Sequence, residues 1–275
     1  MFPLSIHYVD EKVRFCLSKK SQIQWTSTPV LGDYTMRENL IRVHDDLIAC
    51  TRCPHLRKYC ERIARVRRRA FRDQSYWGKP VPSFGDPDAR LLIIGLAPAA
   101  HGGNRTGRIF TGDRSGDFLF RALHRAGFAN QPESRCRGDG LELKNAYITA
   151  VLHCAPPGNK PARIELDRCR NYLVRELHLL KRIEAVLALG RIAFDEFLKT
   201  AIQIGWITHR RGIRFRHGAR YRLGESESLP LPSLFASYHP SQQNTQTGRL
   251  TARMADQVLS EIRMALPSIE SLSVR

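Results

Sequence analysis

Asp113 and Phe110 close a glycine-dense loop, Gly95-Leu-Ala-Pro-Ala-Ala-His-Gly-Gly-Asn-Arg-Thr-Gly-Arg-Ile-Phe-Thr-Gly-Asp113. Glycine permits positive φ and close approach of backbone to a ligand. The loop therefore reads as a pocket wall bearing one carboxylate and one aromatic ring. Neither G-x-x-x-x-G-K-[ST] nor G-x-G-x-x-G follows the apolar run before it, so a Walker or Rossmann phosphate cradle is unsupported. A bland glycine-rich connector is the competing reading, but ordered loops this long in compact domains are usually functional. Two further polar loops accompany it. Ala155-Pro-Pro-Gly-Asn159-Lys-Pro161 presents an amide on a proline-stiffened turn, and Tyr238-His239-Pro240-Ser241-Gln-Gln-Asn244-Thr-Gln-Thr-Gly-Arg249 begins with a histidine.

Cysteine supplies a second chemistry. The seven are Cys16, Cys50, Cys53, Cys60, Cys136, Cys154 and Cys169. The first 35 residues lack the charged-then-apolar layout of a secretory signal, so reduced thiols are expected rather than a disulfide framework. Cys50-Thr-Arg-Cys53 is a C-x-x-C followed by Pro54. With the distant Cys154 and Cys169 it makes a two-plus-two set that suits tetrahedral zinc or a [4Fe–4S] cluster, and spacing does not choose between them. Cys16, Cys60 and Cys136 read as buried apolar cysteines.

Charge points to a polyanionic partner. The formal net charge is +18 and the isoelectric point is near 10.2, with arginine, the better bidentate phosphate ligand, in excess. Nine Lys/Arg and one acid, Glu61, fall between Thr51 and Arg72. A second cluster spans Arg210 to Arg222 in a segment whose Arg/apolar alternation predicts a hairpin over 212–223. A solvated basic face is the ordinary reading of one such run; two runs in so basic a chain favour nucleic acid over a membrane surface. No apolar run reaches the length of a membrane-spanning helix.

These loops need a scaffold that brings them to one edge. Strand patterns occur at 90–95, 147–154, 185–190 and 231–237, and helical patterns at 37–48, 117–127, 162–174, 191–198 and 250–266. Strands alternating with helices predict an α/β fold with a mostly parallel sheet covered on both faces. Ligands then bind at the carboxyl ends of the strands, which gathers Asp113, Phe110, Asn159 and His239 into one crevice. Residues 1–35 are expected to be an extension, 36–267 the single domain and 268–275 a tail.

With both loops and the cysteine pattern in view, the chain resembles the uracil-DNA glycosylase superfamily, and within it family 5, the type B enzymes with an iron–sulfur cluster. The first loop, the stretch Ala236–Arg249 and the Cys50/Cys53, Cys154-Ala-Pro-Pro, Cys169 pattern carry the resemblance over roughly residues 37–265. It implies a three-layer α/β/α sandwich around a four-stranded parallel sheet. It also implies a structural [4Fe–4S] cluster on Cys50, Cys53, Cys154 and Cys169, removed from the chemistry. Asp113 takes the place of the family's key acid, Asn159 and His239 line the base pocket, and Phe110 is the stacking ring, with Ala97 and Ala150 against the base. Many superfamily members carry an Asn where Ala150 stands, and the small residue goes with a roomier pocket. Leu96 replaces the acid of the family 4 Gly-Glu-Ala-Pro, which favours family 5.

The function so implied is excision of uracil, and of other deaminated bases such as hypoxanthine and xanthine, from DNA in base excision repair. A base inside a duplex must first be flipped out. Arg105, Arg108 and Arg249 are expected at the DNA, with Gln242, Gln243 or Asn244 plugging the vacated stack. Neither motif contains lysine, so a monofunctional enzyme without Schiff-base chemistry is expected. A monomer in the cytoplasm, at the nucleoid, completes the expectation. The alternative is a non-catalytic iron–sulfur module that binds nucleic acid.

Overall fold

Three five-residue runs, Leu91–Gly95 (β2), Ala146–Ala150 (β3) and Ala185–Leu189 (β4), are buried along their whole length, as expected of strands covered on both faces. In the computed structural model, which describes residues 31–224 and 231–266, they join Ser233–Ser237 (β6) in the parallel order β3-β2-β4-β6. Two short antiparallel strands, Phe84–Gly85 (β1) and Arg220–Arg222 (β5), extend the sheet at its two edges. The expected four-stranded parallel core is present, and the edge strands enlarge it to six.

Successive side chains of a strand face opposite layers. Leu92 and Ile94 pack with Leu56, Leu173, Leu177, Phe194 and Phe197, beneath helices Leu31–Ile48 (α1), Pro54–Val66 (α2), Arg163–Leu179 (α5) and Arg191–Gln203 (α6). Leu91 and Ile93 pack with Leu119, Phe120, Leu123, Val258 and Ile262, beneath Arg114–Arg125 (α4) and Ala252–Ala265 (α8). Two short helices, Gly103–Thr106 (α3) and Gln242–Gln246 (α7), lie inside the two motif loops. Arg90, just before β2, is clamped by both oxygens of Glu184, just before β4, at 2.6 and 2.8 Å.

Several expected boundaries move. Helix α1 begins at Leu31 rather than near Met36, with Leu40, Val43 and Leu47 buried as its periodicity predicts. Strand β3 ends at Ala150, so Cys154 lies past the strand. The expected hairpin over 212–223 is not one. Gly212 and Gly218 adopt positive φ of 80° and 73° and break the alternation, and Arg220–Arg222 pairs with β6 instead. Cys16 and the proposed tail at 268–275 lie outside the described residues.

Candidate active site

Gly95 ends β2, and the Phe110 ring occupies the space its missing side chain leaves. A Cβ at Gly95 would sit 2.7 Å from Phe110 Cε2. Phe110 is buried and holds a φ of 52°. Left-handed backbone at a bulky residue is strained by about 1–3 kcal/mol, and such strain concentrates at functional sites. The conformation is held by Gly116, where a Cβ would meet the Phe110 carbonyl oxygen at 1.9 Å. Ala150 ends β3 opposite Gly95 in the sheet register and packs in the same apolar layer as Phe110. Ala97, half-buried two residues beyond Gly95, packs toward the other layer.

His239 reaches the same place from β6. Its ring centroid lies 5.8 Å from that of Phe110, inclined at 33°. At the end of β4, Gly190 has a φ of 93°, and a Cβ there would stand 3.1 Å from His239 Cβ. Three neighbouring strand ends thus converge on the Phe110–His239 pair. Burial pushes the His239 imidazole down to about 4, so it is neutral at physiological pH and offers a hydrogen bond rather than a charge. Asn244 donates from Nδ2 to the His239 carbonyl at 2.8 Å and thereby fastens the loop, while Gln242 and Gln243 are exposed.

Asp113 is the N-cap of α4, its Oδ1 accepting from the Gly116 amide at 3.0 Å. An Asp just ahead of an amphipathic run is a recognisable helix start. Its Oδ2 lies where a Gly102 side chain would be: a Cβ at Gly102 would approach it to 2.0 Å. Burial pushes the carboxyl above its ordinary range, against the opposing pull of the Gly116 and Ser115 amides; Asp117 adds to the rise and Arg105 counters it. A carboxylate held by fixed amides with little water around it acts strongly on a nearby positive charge.

Other expected site residues lie differently. Asn159 is exposed, with a φ of 57°, and its side chain makes no hydrogen bond among the described residues. Arg108 is 8 % exposed and bonded to both oxygens of Asp139 at 2.9 and 2.7 Å, with Ser134 accepting from Nη2 and Thr111 from Nε. Arg105, 9 % exposed, donates to the carbonyls of His101 and Gly112 and to Gln74 Oε1. Both side chains, expected at the DNA, are thus turned inward, with Nε, Nη1 and Nη2 of each bonded to protein groups. Arg249 is exposed and lies 4.7 Å from the Tyr238 ring centroid, and Tyr238 in turn stacks on His217.

The four cysteines of the two-plus-two set line one recess on the α1/α2/α5 side, with Arg52, Arg57, Arg168, His153 and Tyr172. Cys50 and Cys53 lie in the α1–α2 connection, Cys154 follows β3, and Cys169 is on α5. Burial raises the Cys53 and Cys169 thiols, the latter to about 12, and Cys154 is raised by its hydrogen bond with Cys60 and then by burial. Among the described residues no three His, Cys, Asp or Glu side chains converge as a single-ion site. One tetrahedral ion would draw its sulfurs to about 2.3 Å from a common centre, whereas a cluster spreads its thiolates over several irons. Four thiols around a recess rimmed by three arginines fit an anionic cluster better than a lone zinc. Cys50, Cys53, Cys60, Cys154 and Cys169 are all free thiols; Cys136 is half-buried rather than buried.

A buried polar network escaped the sequence reading. Glu176, fully buried on α5, accepts from Thr149 Oγ1 of β3 at 2.6 Å, and Ser83 donates to that same Thr149 hydroxyl at 2.8 Å. Burial lifts Glu176 to about 7. The visible signal was an acid inside the apolar stripe of Tyr172, Leu173 and Leu177.

The parallel sheet wrapped by helices thus carries an acid, an aromatic ring and a histidine at its carboxyl edge. The model of the uracil DNA glycosylase superfamily matches residues 82–263. A type-5 uracil-DNA glycosylase of Thermus thermophilus is 49% identical over 220 residues, 79% of this chain and 94% of that protein. One from Pyrobaculum aerophilum is 43% identical over 231 residues, 80% and 95% of the two chains. A type-4 uracil-DNA glycosylase from the same archaeon is 32% identical over 156 residues, 56% and 62% of the two chains. The chain belongs to the uracil-DNA glycosylase superfamily, and its likeness is to the type-5 enzymes.

Proposed function

We propose that the protein is a monofunctional DNA glycosylase that flips out uracil, and further deaminated bases such as hypoxanthine and xanthine, and hydrolyses the N-glycosidic bond in base excision repair. The observation that carries this reading is the meeting of Phe110, His239 and Ala150 at the carboxyl edge of the sheet, beside a loop that holds Asp113 as a capped carboxylate.

Extruding a base costs a few kcal/mol, least at a mismatch such as U·G. Stacking on Phe110 returns roughly 1–3 kcal/mol of that cost. Breaking the bond builds positive charge on the sugar and negative charge on the base. Asp113 faces the first and orients water; neutral His239 donates a hydrogen bond to the second. Asn159, on its exposed turn, holds the base edge or the water once DNA closes over it. Ala97 and Ala150 leave room for a purine, and Gln242 or Gln243 fills the vacated stack while Asn244 holds their loop. Arg249 meets the backbone.

Cys50, Cys53, Cys154 and Cys169 would hold a [4Fe–4S] cluster. It would supply a covalent staple between the α1–α2 connection, the segment after β3, and α5. The protein works as a monomer on DNA in the cytoplasm, at the nucleoid, with residues 36–267 as its catalytic domain. No helix among the described residues is long and apolar enough to cross a membrane. The test is a panel of duplexes carrying one uracil, hypoxanthine or xanthine. Abasic product without strand cleavage supports the reading. Binding without excision of any of them would favour a non-catalytic iron–sulfur module.

A further inference from the structure

Helix α2 and the turn after it form an arm whose Arg65, Arg68, Arg69 and Arg72 are exposed and make no ion pair among the described residues. This arm is fastened to the Asp113 loop in two places. Arg105 sends Nη1 to Gln74 Oε1 at 2.6 Å and stacks its guanidinium 4.0 Å from the Phe71 ring centroid. The same guanidinium donates through Nη2 to the Gly112 carbonyl at 2.6 Å, one residue before Asp113, and through Nε to the His101 carbonyl at 2.8 Å. Separately, the Tyr76 hydroxyl lies 3.0 Å from His101 Nδ1 and accepts from the Arg68 amide at 3.4 Å.

We propose that Arg105 is a positioning residue that locks the Asp113 loop to the arginine arm at 65–74, so that seating a DNA strand on the arm and placing Asp113 are a single event. The inference rests on the reading of Asp113 as the acid of the site. Lysine cannot substitute for Arg105 here, because three acceptors in different directions and a ring face call for the planar guanidinium fork. Gly112 has a φ of 76°, and a Cβ there would lie 2.4 Å from Arg105 Nη2. The contact therefore depends on glycine at that position. Arg105 also places a positive charge near Asp113, acting with the Gly116 and Ser115 amides and against burial and Asp117.

The experiment compares single-turnover excision of a U·G duplex at saturating enzyme with binding to an uncleavable duplex across salt concentrations. Gln74→Ala removes the outer anchor of Arg105 without changing charge. Affinity and salt slope should stay at the wild-type value while the saturating rate falls several-fold. Arg105→Gln should lower that rate up to about 100-fold, the scale of a roughly 1 Å misplacement. It should also move the acid limb of the pH–rate profile to higher pH, which loss of packing alone would not do. The double variant Arg68→Ala/Arg69→Ala should reduce the salt slope by about 0.9 per lost phosphate contact and lower the saturating rate as well. Wild-type saturating rates in both Gln74→Ala and the double variant would overturn the proposal, even if Arg105→Gln does not fold. Asp113→Ala runs in parallel: if it excises at the wild-type rate, the reading of the site has failed and not merely the bridge.

Discussion

The carboxylate of Asp113 and the bare α-carbon of Gly102 share one space, since a Cβ at Gly102 would lie 2.0 Å from Asp113 Oδ2 and 2.8 Å from its Cγ. Gly102→Ala therefore turns Asp113 away from its place or breaks its cap. Losing the cap costs about 1 kcal/mol of stability. The excision rate should fall far more, by about 100-fold for a misplacement near 1 Å. Single-turnover rates set beside melting temperatures separate the two effects. A rate within twofold of wild type would mean that Asp113 is not needed where it stands.

Ala150 is 1 % exposed at the end of β3 and packs in the Phe110 layer. Ala150→Asn adds an amide where the base edge is proposed to lie. Excision of uracil should be retained or improved relative to hypoxanthine and xanthine, because a larger side chain excludes purines while an amide can read uracil. Competition between substrates in one reaction measures the ratio. An unchanged ratio would remove Ala150 from the pocket.

Glu176 carries a prediction about stability. Its folded value of about 7 exceeds the ordinary 4.5. Between those values the folded state keeps a proton that the unfolded chain has released. Stability is thus full below the lower value and declines as pH rises through the window, by about 3 kcal/mol in all. Glu176→Gln should flatten this dependence and be at least as stable as wild type at pH 8. Urea denaturation between pH 5 and 8 gives the answer. A slope that survives the substitution would place the titration elsewhere.

Cys50 is half-buried, as are Cys53 and Cys169, whereas Cys154 is buried. Cys50→Ser should lower bound iron, bleach the visible thiolate-to-iron absorption and reduce the melting temperature. Iron analysis and an absorption spectrum suffice. A colourless wild-type protein that carries zinc would contradict the assignment of a cluster.

The parts legible in the sequence were those governed by local pattern. Five-residue apolar runs marked the parallel strands, and strand-end loops marked the pocket, which is why Phe110 and His239 could be paired although 129 positions separate them in the numbering. The strand Phe84–Gly85 was not visible, being too short for a period, and Arg220–Arg222 was read as part of a hairpin because its true partner, β6, follows it in the chain. Arg105 and Arg108 show a different limit. An arginine in a loop looks the same whether it faces phosphate or bonds inward, and the partners that decide it, Gln74 and Asp139, lie 31 residues away. Asp113 was legible as an acid but not as a helix cap, although the run after it was already recognised as helical.

The central claim is that Asp113 acts on the reacting sugar and not in holding the DNA. Single-turnover excision of a U·G duplex by Asp113→Ala, with duplex affinity measured in parallel, addresses it directly. The rate should fall by at least about 100-fold, the scale of removing one preorganised electrostatic group, with affinity near wild type. Wild-type excision by Asp113→Ala would contradict the account.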